Sequence, residues 1–197
     1  MKRLFVLQSI ESDGLNSFID FWSKLYELSD KSLDEKLYNP FISKPQFDEY
    51  DIQKLFEWKN GMELSPLKQK SVDNKIKSKL ERINFYKSDN NWVLENFLEE
   101  FQNVSAVWKI FLLHITKPKR YAIYDQHVHR AYNFIHELEY KTISADSVKD
   151  VDKLAFYRDT YLKFINKHNE LNLKKMDEAL VSFGQFLKNN KLRIVFE

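Results

Sequence analysis

Within nine residues, Ala122-Ile123-Tyr124-Asp125-Gln126-His127-Val128-His129-Arg130, the chain gathers a carboxylate, two imidazoles and a guanidinium. An aspartate placed just ahead of a helix accepts hydrogen bonds from free backbone amides and is favoured by the positive end of the helix dipole. Asp125 is therefore held ionised at neutral pH, whether it caps the helix and nothing more or its charge is put to use. A metal set does not follow from the two histidines. On a helix His127 and His129, two apart, point to nearly opposite sides, and His114, His136 and His168 add no ligand spacing. Lys109 is the only Lys, Arg, Asp or Glu between Val104 and Ile115. It is either a candidate catalytic amine lining a cleft or a lysine whose stem carries its charge out of a packed helix. Glu99 and Glu100 are neighbours in sequence and read as surface charge rather than as a carboxylate pair for glycoside cleavage.

Composition removes several other chemistries. With no cysteine there is no disulfide, thiolate zinc site, cysteine-ligated cluster or cysteine nucleophile. The three glycines, Gly14, Gly61 and Gly184, are too scattered for a phosphate-cradling loop, and no serine has the glycine flanks of a nucleophile elbow. No cofactor and no metal are expected.

The elements that must position these residues are helices. Three glycines and four prolines leave little for hairpins and left-handed turns, and apolar residues recur at helical spacing along most of the chain. Leu15, Phe18, Ile19, Trp22, Leu25 and Tyr26 define a helix over 15–29. A short helix over 48–60 stops at Gly61, and Ser65-Pro66 opens another whose stripe is Val72, Ile76, Leu80 and Ile83. Residues 91–102 form an amphipathic helix through Trp92, Val93, Phe97, Leu98 and Phe101. Residues 104–115 are apolar almost all round, which marks the central buried helix. A proline turn at 117–120 leads to Asp125 and a helix with Val128, Ala131, Tyr132, Ile135 and Leu138 on one face. Two more helices, near 147–169 and 173–189, complete an all-α fold of eight or nine helices. It forms a single unit over 1–197, with room for two lobes sharing one core, and short strands are expected at Leu4–Leu7 and Leu192–Phe196. The spacing of Trp58, Trp92 and Trp108 fits core packing better than base stacking.

Charge is nearly balanced, 31 Lys+Arg against 29 Asp+Glu for a formal +2, so a polyanionic partner would have to meet a local patch. One exists on paper. From Lys68 to Lys87 there are seven basic and two acidic residues, and on a continuous helix Lys68, Lys75, Lys79 and Arg82 fall within about 60° of one another. Such a face tracks phosphates or is simply solvated. Lys117, Lys119 and Arg120 lie just ahead of Asp125. The N-terminus turns polar after four apolar residues, short of a secretory core, and no window approaches a membrane span. A cytoplasmic protein without a membrane is expected.

The stretch 103–135 resembles the helix–hairpin–helix DNA glycosylase superfamily, the endonuclease-III-like base-excision enzymes. In that family an apolar residue precedes Asp-x-His-Val-x-Arg, and Asp125, His127, Val128 and Arg130 match those four positions. An apolar helix and a proline turn ahead of the motif, a length near 200 residues and an all-helical pattern agree in outline, with the central motif region at 103–138. The resemblance implies a catalytic carboxylate at Asp125, beside a nucleotide flipped out of double-stranded DNA, stabilising the oxocarbenium charge or orienting water. His127 and Arg130 would organise that helix start and contact the nucleic acid. The family's hairpin, which anchors a DNA phosphate through its glycines, corresponds to Phe101-Gln102-Asn103-Val104-Ser105. Asn103 and Ser105 stand where glycines would be, and with the nearby lysines they are the expected phosphate contacts. Val107 occupies the place of the Schiff-base lysine of bifunctional members. Lys109 lies two residues on, a rotation of about 200°, so hydrolysis is the expected chemistry rather than strand cleavage. The alternative is a catalytically inactive helical module that binds nucleic acid or another protein.

Overall fold

The structure is a computed structural model that describes residues 14–29, 31–136, 149–168 and 170–190. Helices follow one another as α1 (Gly14–Ser29), α2 (Lys31–Leu37), α3 (Asn39–Ile42), α4 (Glu49–Asn60), α5 (Pro66–Lys75) and α6 (Leu80–Ser88). After them come α7 (Leu94–Glu100), α8 (Ala106–Thr116), α9 (Gln126–Ile135), α10 (Asp150–Phe156), α11 (Leu162–Lys167) and α12 (Leu173–Asn190). Tyr38 joins α2 to α3, a 3-10 turn at Lys77–Lys79 links α5 to α6, and a π turn at Tyr157–Tyr161 links α10 to α11. With each of these three joined pairs counted once, the described residues hold nine helices and no strand. The fold is all-α. The strands expected at 4–7 and 192–196 lie outside the described residues. No helix among the described residues is long and apolar enough to cross a membrane.

Local chemistry sets the boundaries. Asp48 accepts from the Asp51 amide while the Asp51 side chain accepts from the Asp48 amide, a reciprocal cap that starts α4. Gly61 ends it in the left-handed region at φ 74°. The segment expected as a helix over 91–102 is helical only from Leu94, because Val93 is extended (φ −93°, ψ 139°) and serves as the boundary residue.

Helix α8 is the hub. Ile110, Phe111, Leu112, Leu113 and Ile115 are essentially inaccessible, packed between α6 on one side and α10 on another. The last helix, α12, lies along both α1 and α9. Phe18 and Trp22 of α1 meet the Phe183 ring at 5.3 and 4.9 Å. At its other contact α12 comes close to the backbone of α9. A Cβ on Gly184 would stand 2.1 Å from the His127 carbonyl oxygen, so only glycine fits there. The Arg130 guanidinium crosses the same seam and donates to the Gly184 carbonyl at 2.9 Å. One glycine and one arginine thus fix where α9 begins relative to α12.

Candidate functional site

The seam opens into a cleft of about 650 Å3 whose walls come from α1, α2, α4, α5, α8, α9, α10 and α12. Asp125 sits at the start of α9 and lines it. Its Oδ1 accepts from the His127 and Val128 amides at 2.8 and 3.0 Å, and its Oδ2 faces the Lys59 ammonium at 3.2 Å. The Asp125 side chain keeps 23% of its exposure, whereas that of Lys59 keeps 6%. Burial on its own would raise the carboxyl's pKa. The Lys59 charge, the His127 ring and the two capping amides outweigh it and hold the group below the ordinary carboxylate range. The division of labour between the two oxygens is the central feature of the site. One fixes the carboxylate to the helix and the other pairs with Lys59, which lines the same cleft.

Aromatic rings form much of the wall. Tyr26, Trp58, Trp108 and Tyr124 all line the cleft. The Tyr26 hydroxyl and the Trp58 indole N–H both donate to Asp34 Oδ1, at 2.8 and 2.6 Å. The Lys174 ammonium lies 2.7 Å from Asp34 Oδ2 and 4.9 to 5.3 Å from the ring centres of Tyr26, Tyr38 and Trp58. Such a pre-ordered wall loses little side-chain entropy when a flat ring stacks against it. Sequence spacing assigned Trp58 and Trp108 to the core. They do pack there, with Trp108 edge-on to Phe56 at 5.2 Å, yet each also presents a surface to the cleft.

Asp177 of α12 also lines the cleft. It is 4% exposed, and its Oδ1 has no hydrogen-bond partner among the described residues. Burial pushes its carboxyl up to about 7 against the pull of Lys174 and Lys59. Neither Asp177 nor Lys59 was singled out by sequence reasoning.

The expected site residues are dispersed. Asp125 and His127 line the cleft, and Arg130 is buried, spent on the Gly184 carbonyl and on His127 Nδ1 at 3.2 Å. Ser105 stands at the lip, while Asn103 is exposed outside it. The first amide of α8, on Ala106, is occupied by Asp150 Oδ2 at 2.8 Å. Lys109 is 5% exposed and takes neither course expected of it, for it is absent from the cleft wall and does not run out to solvent. Burial lowers its pKa, with Asp150 pulling the other way. The amine beside Asp125 is Lys59, from a different helix.

The basic face does not survive as drawn. The 3-10 turn at Lys77–Lys79 interrupts the helix across which it was projected. Lys79 and Arg82 both turn to Glu100, at 2.9 and 3.2 Å, and Lys75 is exposed on α5 away from the cleft wall. Lys117 donates to the Lys87 carbonyl and to Asn90, and Arg120 lies over the Trp92 and Tyr121 rings. Lys119 is exposed. None of the three lines the cleft, whose rim cations are Lys68 and Lys153. No three potential metal ligands come together among the described residues.

Buried titratable groups give folding a defined pH dependence. His114, clasped by Tyr38 and the Tyr121 carbonyl, is pushed down to about 3, and His129, held between Tyr124 and Asn133, to about 4, in both cases mainly by burial. Each is neutral in the folded chain and protonates near 6.5 in the unfolded one. Their contribution to stability is therefore complete above that value and is lost as pH falls toward the folded pKa. Asp177 acts oppositely. Its raised pKa stabilises the fold at low pH, and that contribution is lost as pH rises through about 7. Around pH 5 the unfolded chain holds two histidine protons that the native chain lacks, and the native chain holds one on Asp177. Each net proton taken up on unfolding makes stability fall by about 1.4 kcal/mol per unit of acidification, and His127, whose pKa burial also lowers, adds to the fall. Asp177→Asn removes the opposing proton, so the slope is expected to steepen by about 1.4 kcal/mol per unit. Urea denaturation at pH 5.0, 5.5 and 6.0 measures both slopes, and equal slopes in the two chains would refute a protonated Asp177.

No protein-family model, curated protein or solved structure matches the chain.

Proposed function

We propose that this protein hydrolyses the N-glycosidic bond of a base flipped out of double-stranded DNA, with Asp125 as the carboxylate that meets the developing positive charge on the sugar. The observation that carries this reading is the split engagement of Asp125. Two helix amides fix Oδ1, Oδ2 pairs with Lys59, and the side chain lines a cleft with aromatic walls that falls within the size range of small-molecule sites. A cap that did nothing else would need no cleft and no buried lysine opposite its second oxygen.

The chemistry follows from the placement. As the bond between C1′ and the base lengthens, the sugar acquires oxocarbenium character. A carboxylate already ionised and already oriented stabilises that charge without reorganising. The same oxygen can orient the water that adds to C1′. Lys59 acts through Asp125, holding Oδ2 in place and keeping it charged. Its ammonium is engaged in that pair, and with Lys109 away from the cleft the expected product is an intact abasic strand rather than a strand break.

The test uses duplexes that each carry one altered base, incubated with the full chain and then split in two. One half is treated with alkali to cut abasic sites and the other is left untreated. Base release from at least one duplex, visible only after alkali, is the expected result. Release from none of them overturns the reading. Affinity for undamaged duplex that falls steeply with salt would then mark a nucleic-acid-binding module, and a lack of affinity would point to a protein partner.

A further inference from the structure

Asp177 has no role in the scheme above, yet it faces the same cleft as Asp125 from the opposite helix. Two features set it apart from a structural carboxylate. It is nearly inaccessible, and its Oδ1 is left without a hydrogen-bond partner among the described residues. A buried polar atom without a partner costs stability, and such atoms persist where a ligand supplies the missing bond. We infer that Asp177 is the proton donor to the departing base, and that the base accepted by the cleft is therefore a neutral one with a ring nitrogen free to be protonated. The inference rests on the glycosylase reading and adds to it a second catalytic residue and a substrate class.

The step balances. The C1′–N bond breaks and its electron pair goes to the base, which takes the Asp177 proton on a ring nitrogen and leaves neutral. Water oxygen, oriented by Asp125, bonds to C1′. The proton shed by that water returns to Asp177, and no further reactant is consumed. The two carboxyls are kept in different protonation states by their surroundings. Asp125 has capping amides and Lys59. Asp177 is more deeply buried, and the charged and titratable groups facing it are Lys174 and Glu178 of its own helix, Lys59 of α4, Asp125, Tyr38 and Tyr161. That setting brings its carboxyl to about 7, where a donor works at neutral pH.

A leaving base that already carries a positive charge needs no proton, and this separates the donor role from any other. Wild-type and Asp177→Asn chains are compared from pH 5 to 9 on duplexes carrying hypoxanthine or 8-oxoguanine, which are neutral, and 7-methylguanine, which is cationic. Asparagine is isosteric with the protonated acid, so the variant is expected to melt within a few degrees of wild type. It should release the neutral bases about 100-fold more slowly and 7-methylguanine within about threefold of wild type. The wild-type rate on neutral bases should fall above about pH 7, and the variant should lose that limb. Where only neutral bases are released, or the variant melts early, the wild-type alkaline limb decides. Absence of that limb, full activity of the variant on neutral bases, or an equal loss on neutral and cationic bases overturns the assignment. A wild-type chain that releases none of the three bases, nor any other lesion, fails at the earlier step and overturns the glycosylase reading itself.

Discussion

Replacing Asp125 by asparagine is expected to slow base release by about a thousandfold, an increase of about 4 kcal/mol in the barrier, while leaving the helix start in place. Asparagine caps a helix as well as aspartate does, and its Oδ1 can accept the His127 and Val128 amides as the carboxylate does now. What disappears is the charge on the second oxygen. The cost to stability comes from the other side of the pair. Lys59 is 6% exposed and would be left with an amide opposite its ammonium. Because the carboxylate is partly open to solvent, the loss is smaller than for a fully buried pair, about 1–2 kcal/mol, or a melting temperature lower by roughly 3–8 °C. Lys59→Met in the same chain removes the stranded charge and should recover most of that stability but none of the activity. Single-turnover rates and melting temperatures of the two single variants and the double variant complete the cycle. If Asp125→Asn retains a tenth or more of the wild-type rate, Asp125 is a cap and the catalytic charge lies elsewhere.

The reach of sequence reasoning differs between fold and site for a physical reason. A helix announces itself through periodicity within about fifteen residues, and so α1, α4, α8 and α12 were legible nearly to their ends. Where geometry departs from the ideal helix the projection fails. The lysines from Lys68 to Arg82 share a face only if the chain turns 100° at each residue, and the 3-10 turn at Lys77–Lys79 breaks that count. The cleft is a relation among eight helices, and no local window contains it. Arg130 illustrates the difference. Its motif position suggested a nucleic-acid contact, whereas its partner is the carbonyl of a residue 54 positions away. Two faint signals were nonetheless present. Lys59 continues the apolar stripe Ile52, Leu55, Phe56 at the next helical step, so a charge was headed for the interior. Asp177 and Gly184, seven apart, flank the Met176, Leu180, Phe183 stripe on one side, where a carboxyl next to a close helix approach would be found.

That close approach supports the second large effect. Gly184→Ala would be stabilising if helix propensity alone governed, by up to about 1 kcal/mol, since Gly184 lies inside α12. Contact predicts the opposite sign. The new Cβ would meet the His127 carbonyl oxygen at 2.1 Å, the carbonyl carbon at 2.6 Å and the Cα at 2.8 Å. All three are backbone atoms, which cannot rotate away as a side chain would. Relief requires α12 to move off α9, which stretches the Arg130 bond to the Gly184 carbonyl and disturbs the aromatic packing of Phe183 on Phe18 and Trp22. Overpacking of this kind costs about 1–3 kcal/mol, and the expected net change is a melting temperature lower by roughly 3–10 °C. The displacement also reaches the site, because the residue that is struck, His127, supplies one of the two amides that hold Asp125 Oδ1. Base release should therefore drop by about tenfold or more even at temperatures where the variant is fully folded, as a misplacement of about 1 Å suffices for that. A Gly184→Ala chain that melts at or above the wild-type temperature would show that α9 and α12 do not approach as closely as this, and that the start of α9 is positioned by Arg130 and the Asp125 cap alone.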